Sequence, residues 1–172
     1  IILILLTFVL SKSFAQINTD RPDQTESSST VPNGAFQLES GILLNYEESS
    51  SEKKRQFLLP TNLLRFGITN WFELRLVNQV ELLKLNNDEF EGFSDIEVGT
   101  KIQLLKKENI NAEIALLSHL IIPTGSNFIS NEQFGNINKL CVSHEINKLL
   151  GISYNLGYNY FGSGIGDLTY SF

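Results

Sequence analysis

From Gly34 onward, apolar residues recur at every second position far more often than at every third or fourth. That spacing belongs to strands with one apolar and one polar face, not to helices. Phe36, Leu38, Ile42, Leu44 and Tyr46 share one face; Gln37, Glu39, Gly41 and Asn45 share the other. A polar run from Glu47 to Lys54 ends this strand. The next segment, Phe57 to Ile68, is apolar but broken by Pro60 and Asn62, and Thr69-Asn70 predicts a short turn. Phe72, Leu74 and Leu76 then alternate with Glu73 and Arg75, and the pattern continues to Leu82. Residues 86–94 predict a longer polar loop. Ile96, Val98, Thr100, Ile102 and Leu104 alternate with Glu97, Gly99, Lys101 and Gln103, followed by a tight turn at 106–109. Ile110 to Leu120 makes another strand, 124–136 a long loop, and Leu140 with Val142 a weaker strand. After a turn at Asn147-Lys148, Ile152 to Tyr160 alternates cleanly, a Gly-rich loop runs from Phe161 to Gly166, and Leu168, Tyr170 and Phe172 open a further strand.

The connections alternate in length: long at 47–54, 84–94 and 124–136, short at 69–70, 106–109 and 147–148. Outer-membrane barrels have long loops on one side and short turns on the other. The predicted strands run about 9 to 12 residues, the length that crosses a bilayer at a tilt. One face is apolar with aromatics near its ends (Trp71, Phe72, Tyr158, Tyr160), as in interfacial girdles. The other carries carboxylates, amides and glycine, as in a wet lumen. The expected fold class is all-β: an antiparallel up-and-down transmembrane β-barrel of the outer-membrane type, incomplete at the C-terminus. Asn62, Asn78, Asn138 and His144 interrupt the apolar face, so either a bulge shifts the register there or they sit at the interface. Leu117 and Ile121 fall on the lumen face, which a small barrel filled by side chains tolerates.

Residues 1–10, IILILLTFVL, form an apolar run too short to span a bilayer as a helix. It ends in Ser13-Phe14-Ala15, a small-x-Ala site of the kind that closes a secretory signal peptide. Residues 1–15 are therefore expected to be an N-terminally truncated signal peptide, 16–33 a periplasmic or inward-folded lead-in, and 34–172 a partial barrel. The chain reads as a fragment lacking sequence at both ends. Tyr170-Ser171-Phe172 resembles the aromatic end of a complete barrel, but Leu168 to Phe172 is too short to cross a membrane.

Composition adds exclusions. The mean hydropathy of −0.03 rules out a helical membrane bundle, but not a barrel, whose average mixes lipid-facing and lumen-facing residues. A net charge of −6 argues against nucleic acid as a partner, since phosphate binding needs a basic stripe. A single Cys, with no repeated Cys/His spacing, leaves no disulfide scaffold and no structural metal site, and nothing calls for a cofactor.

The most recognisable text lies in 18–44: Asn18-Thr19-Asp20-Arg21-Pro22-Asp23-Gln24-Thr25-Glu26-Ser27, then Val31-Pro32-Asn33-Gly34-Ala35-Phe36-Gln37-Leu38-Glu39-Ser40-Gly41. Further short motifs are Leu59-Pro60-Thr61, Leu64-Arg65-Phe66-Gly67, Glu73-Leu74-Arg75, Gly92-Phe93-Ser94-Asp95, Gly99-Thr100-Lys101, Pro123-Thr124-Gly125 and Gly166-Asp167-Leu168. In these the chain resembles the outer-membrane transporter family known as "MetA-pathway of phenol degradation", especially its members from Bacteroidetes. The resemblance covers residue 18 to the end. It implies an outer-membrane barrel described as a transporter or channel, with outer-membrane lipid and a small-molecule solute as partners and the barrel assembly machinery as a partner in biogenesis. It leaves the oligomeric state open.

Asp20, Arg21, Asp23 and Glu26 are candidates for an inward-folded plug or gate; the plain alternative is a solvated lead-in. By parity the lumen face holds the pore-lining candidates Glu39, Arg65, Glu73, Arg75, Glu81, Glu97, Lys101, Glu113 and His119, with Lys139 beside them. Such charges either tune solute selectivity or form cross-strand ion pairs that stiffen the wall. Ser118-His119 and Ser143-His144 do not make a hydrolase by adjacency, because neighbours on a strand point to opposite faces. The expected function is therefore non-enzymatic: passive diffusion of small solutes, hydrophobic ones included. The rivals are a secreted, lipocalin-like soluble barrel that binds a ligand, or a structural outer-membrane barrel without transport. In a soluble barrel Phe36, Leu38, Leu74, Leu76, Ile152 and Tyr154 would point inward; in a membrane barrel they would face lipid.

Overall fold

The computed structural model describes residues 19–20, 25–49, 53–107, 111–147 and 149–172. The expected signal peptide at 1–15 and the plug candidates Arg21 and Asp23 lie outside the described residues. The strands are β1 (Phe36–Glu48), β2 (Lys53–Thr69), β3 (Phe72–Leu85), β4 (Asp88–Phe93), β5 (Ile96–Lys107), β6 (Ala112–Ile122), β7 (Gly135–Asn147), β8 (Leu150–Tyr160) and β9 (Asp167–Ser171). They form one sheet in the order β1-β2-β3-β5-β6-β7-β8-β9, with β4 paired to β3 off this path. Every pairing is antiparallel. No helix occurs among the described residues. The sheet is an up-and-down half-barrel of the outer-membrane kind, with β1 and β9 at its edges.

Several strands run further than the alternation predicts, β7 among them, which covers Gly135–Asn147. The polar loop expected over 86–94 folds back as β4, where Lys84 is opposite Glu89 and Leu83 opposite Phe90. Asn86, with φ of 53°, opens the tight turn; Asn tolerates that left-handed conformation better than most residues. The polar run 47–54 is strand at both ends: Glu47 is opposite Lys54 and Glu48 opposite Lys53, so opposite charges hold the hairpin where apolar contacts run out. Lys106 and Lys107 likewise prolong β5. Strands therefore reach up to 17 residues, beyond the bilayer-crossing length. Pro60 keeps β2 continuous because the register shifts between Leu58 and Thr61, which takes the residue without an N–H out of the ladder.

The two faces separate as the alternation predicts. On the convex face Phe36 is 63% and Leu38 59% exposed, and Leu74, Leu76, Ile152 and Tyr154 are exposed with them. A soluble barrel would bury this set, so the outward orientation disfavours the lipocalin-like alternative. The concave face holds a small apolar patch of Ala115, Leu117 and Cys141, with Ile137 against it. Most of the rest of that face is polar. The β2–β3, β5–β6 and β7–β8 strand pairs are joined at one end of the sheet; the β1–β2, β3–β4, β6–β7 and β8–β9 pairs are joined at the other.

Candidate functional site

The lead-in enters at the short-turn end and lies against the concave face. Thr30 Oγ1 donates to the Asn70 carbonyl at 2.9 Å and the Asn33 N–H to Asn70 Oδ1 at 3.1 Å, so the β2–β3 turn holds it. The Val31 N–H donates to Glu73 Oε2 at 2.6 Å. Gly67 permits this approach: a Cβ there would lie 2.1 Å from the Pro32 carbonyl oxygen and 2.4 Å from that of Val31.

The wall beneath the lead-in has an unusual charge order. Strand register sets Arg65 directly opposite Arg75, a like-charge pair that is unfavourable by itself. Glu73 is opposite Lys101 on β5. Asp20 of the lead-in sits over this wall. Its Oδ2 accepts from Arg75 Nη1 at 2.7 Å and from Lys101 Nζ at 2.5 Å, and lies 3.3 Å from Arg65 Nη1. Glu39 completes the cluster, accepting from the Asp20 N–H at 2.7 Å and from Arg65 Nη1 at 3.0 Å. Glu73 bridges both guanidiniums, at 2.9 Å from Arg65 Nε and 2.9 Å from Arg75 Nη1. Burial alone pushes the Asp20 carboxyl up, but Lys101, Arg75 and Arg65 outweigh it and hold it well below the usual carboxylate range.

The rest of the lead-in continues the same complementarity. Glu26 Oε2 accepts from Arg75 Nη2 at 2.8 Å. The Ser27 carbonyl accepts from Lys101 at 2.9 Å, the Ser29 carbonyl from Arg65 at 3.1 Å, and Ser28 Oγ donates to Glu113 at 3.3 Å. Asn155 on β8, with its amide oriented by its partners, brackets the Glu26 backbone: Nδ2 donates to the carbonyl at 3.1 Å and Oδ1 accepts from the N–H at 2.6 Å. His119 extends the cluster. Arg75 Nε donates to its Nε2 at 3.1 Å, so Nδ1 carries the proton and donates to Glu97 Oε2 at 2.8 Å. Gly99 makes room for the ring, since a Cβ there would lie 2.0 Å from His119 Cδ2.

All nine pore-lining candidates thus face the concave side, but they do not form one ring. Glu39, Arg65, Glu73, Arg75 and Lys101 gather around Asp20, with Glu97 and His119 beside them. Glu81 stands further toward the long loops, accepting from Gln56 at 2.7 Å and Ser94 at 3.1 Å. Glu113 lies toward the short turns, 3.2 Å from Lys106. Lys139 is half-buried on the same face. Of the four plug candidates, Asp20 and Glu26 join the cluster. Ser143 pairs across β7–β8 with Ser153 at 3.0 Å, while His144 stacks on Tyr154 on the opposite face. No group of His, Cys, Asp and Glu that could hold a metal ion occurs among the described residues.

Sequence reasoning missed Asp95 and Asn155. Asp95 follows β4 and is buried; its Oδ1 accepts from the Gly125 N–H at 2.8 Å and its Oδ2 from the Asn131 N–H at 2.9 Å. It ties the connection 123–134 to the β4–β5 junction and so joins the Gly92-Phe93-Ser94-Asp95 and Pro123-Thr124-Gly125 motifs, whose link no local pattern announces. Burial raises the Asp95 carboxyl, but hydrogen bonds from Ser130 and from the Asn131, Gly125 and Thr124 backbone overcome this and lower it. Below this connection lies a cavity of about 410 Å³ lined by Leu58, Glu81, Glu97, Ile121, Phe128 and Phe161 among others.

No curated protein and no solved structure matches the chain. A family model does: the one described as "Putative MetA-pathway of phenol degradation" matches residues 19–171, from the lead-in through β9. An antiparallel half-barrel with an apolar convex face and a polar concave face thus coincides with a family match over nearly the whole chain, and the protein belongs to that family, whose barrel fold points to the outer membrane.

Proposed function

We propose that the protein is an outer-membrane barrel that passes small solutes, hydrophobic ones included, by diffusion, and that its N-terminal lead-in gates the lumen at the short-turn end. The observation that carries this reading is the seat of Asp20 among Arg65, Arg75 and Lys101. The docked segment occupies the lumen wall, so a solute passes only when it shifts. The cluster then changes character: three cations lose the Asp20 carboxylate, and the local field beside them becomes more positive. On the long-loop side, Glu81 and Glu97 give the cavity a negative cast while Leu58, Ile121, Phe128 and Phe161 supply apolar contact. This is filtering and gating, and no bond chemistry is involved.

The test is solute swelling of liposomes and single-channel recording on the full-length protein, wild type beside Asp20→Ala. Flux that rises in Asp20→Ala is expected. A wild type and variant that both pass no solute would favour the structural-barrel alternative. Resistance to carbonate extraction, measured first, checks the membrane location separately.

A further inference from the structure

We propose that the protein self-associates within the membrane through a polar stripe on its convex face, formed by Ser40, Asn62 and Asn78, and that a second copy of the chain occupies it. This rests on the membrane reading of the convex face. Strand register sets Ser40 opposite Asn62 and Asn62 opposite Asn78, so the stripe crosses β1, β2 and β3 in one row. Their strand neighbours Glu39, Leu63 and Val77 are buried on the concave side, which places the stripe on the convex side. The next row on that face is Leu38, Leu64 and Leu76. No bulge turns the asparagines inward: Asn62–Asn78 is continuous in register with Leu64–Leu76.

Asn78 is six positions beyond the start of β3 at Phe72. At about 3.3 Å per residue and a tilt of about 40°, it stands roughly 15 Å above the short-turn end, inside an apolar band about 25 Å tall. The stripe is therefore not at the headgroup interface. Ser40 Oγ donates to Asn62 Oδ1 at 2.8 Å. Beyond that bond, Asn62 Nδ2 and the Asn78 amide have no hydrogen-bond partner among the described residues. Even turned toward each other, the two amides would leave two N–H groups unmet. Acyl chains offer neither donor nor acceptor, so unmet amides inside the band are costly.

The other polar set on the convex face behaves differently. Ser118 Oγ donates to Asn138 Oδ1 at 2.8 Å, and Asn138 Nδ2 donates to Asn136 Oδ1 at 2.9 Å, so that set runs as a chain toward the long-loop end. The amide left over there, Asn136 Nδ2, stands one residue from the start of β7 at the long-loop end, whereas the β1–β3 row presents open amides in mid-strand. A carboxamide both donates and accepts, which makes the row complementary to its own copy. In a two-fold contact, Asn62 of one molecule meets Asn78 of the other and the reverse, as an isologous interface requires. The leucine row supplies the flanking apolar contact. The stripe carries no charge, so two copies meet without repulsion.

The experiment uses the full-length chain in nanodiscs. Asn78→Cys in a Cys141→Ser background is treated with a short bis-maleimide; a dimer band is expected, and none from Leu104→Cys, which sits elsewhere on the convex face. Mass measurement of the loaded discs is expected to give a dimer for wild type and a monomer for the double variant Asn62→Leu with Asn78→Leu, with heat-modifiable gel migration retained as the sign of a folded barrel. Membrane-embedded wild type that is monomeric, a double variant that stays dimeric, or cross-linking at Asn78 no stronger than at Leu104 would overturn the proposal alone. Capture of a different protein at Asn78→Cys would overturn the choice of a second copy. Extraction of the wild type by carbonate would overturn the membrane reading, and this inference with it.

Discussion

Asp20→Ala is the sharpest perturbation the lumen offers. The substitution leaves the strands untouched and removes the one carboxylate shared by Arg75, Lys101 and Arg65, at 2.7, 2.5 and 3.3 Å. It also removes the acceptor for the Ser27 N–H at 2.8 Å. What stays behind is Arg65 directly opposite Arg75, with Glu73 between them, Glu39 on Arg65 and Glu26 on Arg75, and Lys101 stripped of its nearest carboxylate. Taking one partner from a buried ion pair costs about 3–5 kcal/mol. Here the cost falls on docking of the lead-in, because the wall keeps its own Glu39–Arg65 and Glu73 pairs. At about 1.4 kcal/mol per decade, the undocked population should rise by roughly 10²-fold to a few thousandfold. Ser28 reports it: its side chain is buried when docked, so maleimide labelling of Ser28→Cys, in a Cys141→Ser background, tracks undocking. Asp20→Asn keeps the shape and an acceptor for Ser27, and should raise labelling by less than Asp20→Ala. If labelling of the Asp20→Ala protein stays within about threefold of its parent while the barrel remains heat-modifiable, Asp20 does not hold the lead-in and the gating argument fails.

Other outcomes follow from the same geometry. Gly67→Ala places a Cβ 2.1 Å from the Pro32 carbonyl oxygen, so it should expel the lead-in and increase Ser28→Cys labelling without altering any charge. Gly99→Ala instead strikes His119 and should destabilise the wall by about 1–3 kcal/mol, read from urea unfolding in lipid vesicles. Asp95 has a lowered carboxyl in the folded chain, so its stabilisation is present above the unfolded value of about 3.9 and is lost as pH falls through the folded value. Protection of the Gly125 and Asn131 amides from hydrogen exchange should therefore weaken below about pH 4, and Asp95→Ala should abolish it at every pH. Cys141 has no exposed surface, so thiol reagents should leave it unmodified in the folded protein.

The alternation of apolar and polar residues was enough, read alone, to establish strands, faces and the sidedness of loops and turns. Side-chain direction in a strand follows from parity, so each of the nine lumen candidates could be named before any contact was known. Parity also placed Asn62, Asn78 and Asn138 on the apolar face, where the structure keeps them. Three things depended on tertiary structure. β4 was illegible because its acidic residues look like a loop until Lys84 of β3 stands opposite Glu89. Asp95 was silent because its partners, Gly125 and Asn131, are 30 and 36 residues away. The charge cluster had its members visible and its pairing hidden: Arg65 faces Arg75 because of strand register, and Asp20 meets both because the lead-in doubles back past Gly67. A local pattern records which face a side chain takes. Which distant groups share that face is set by strand register and chain path, and there electrostatics chose Asp20 to complete a wall built with two arginines side by side.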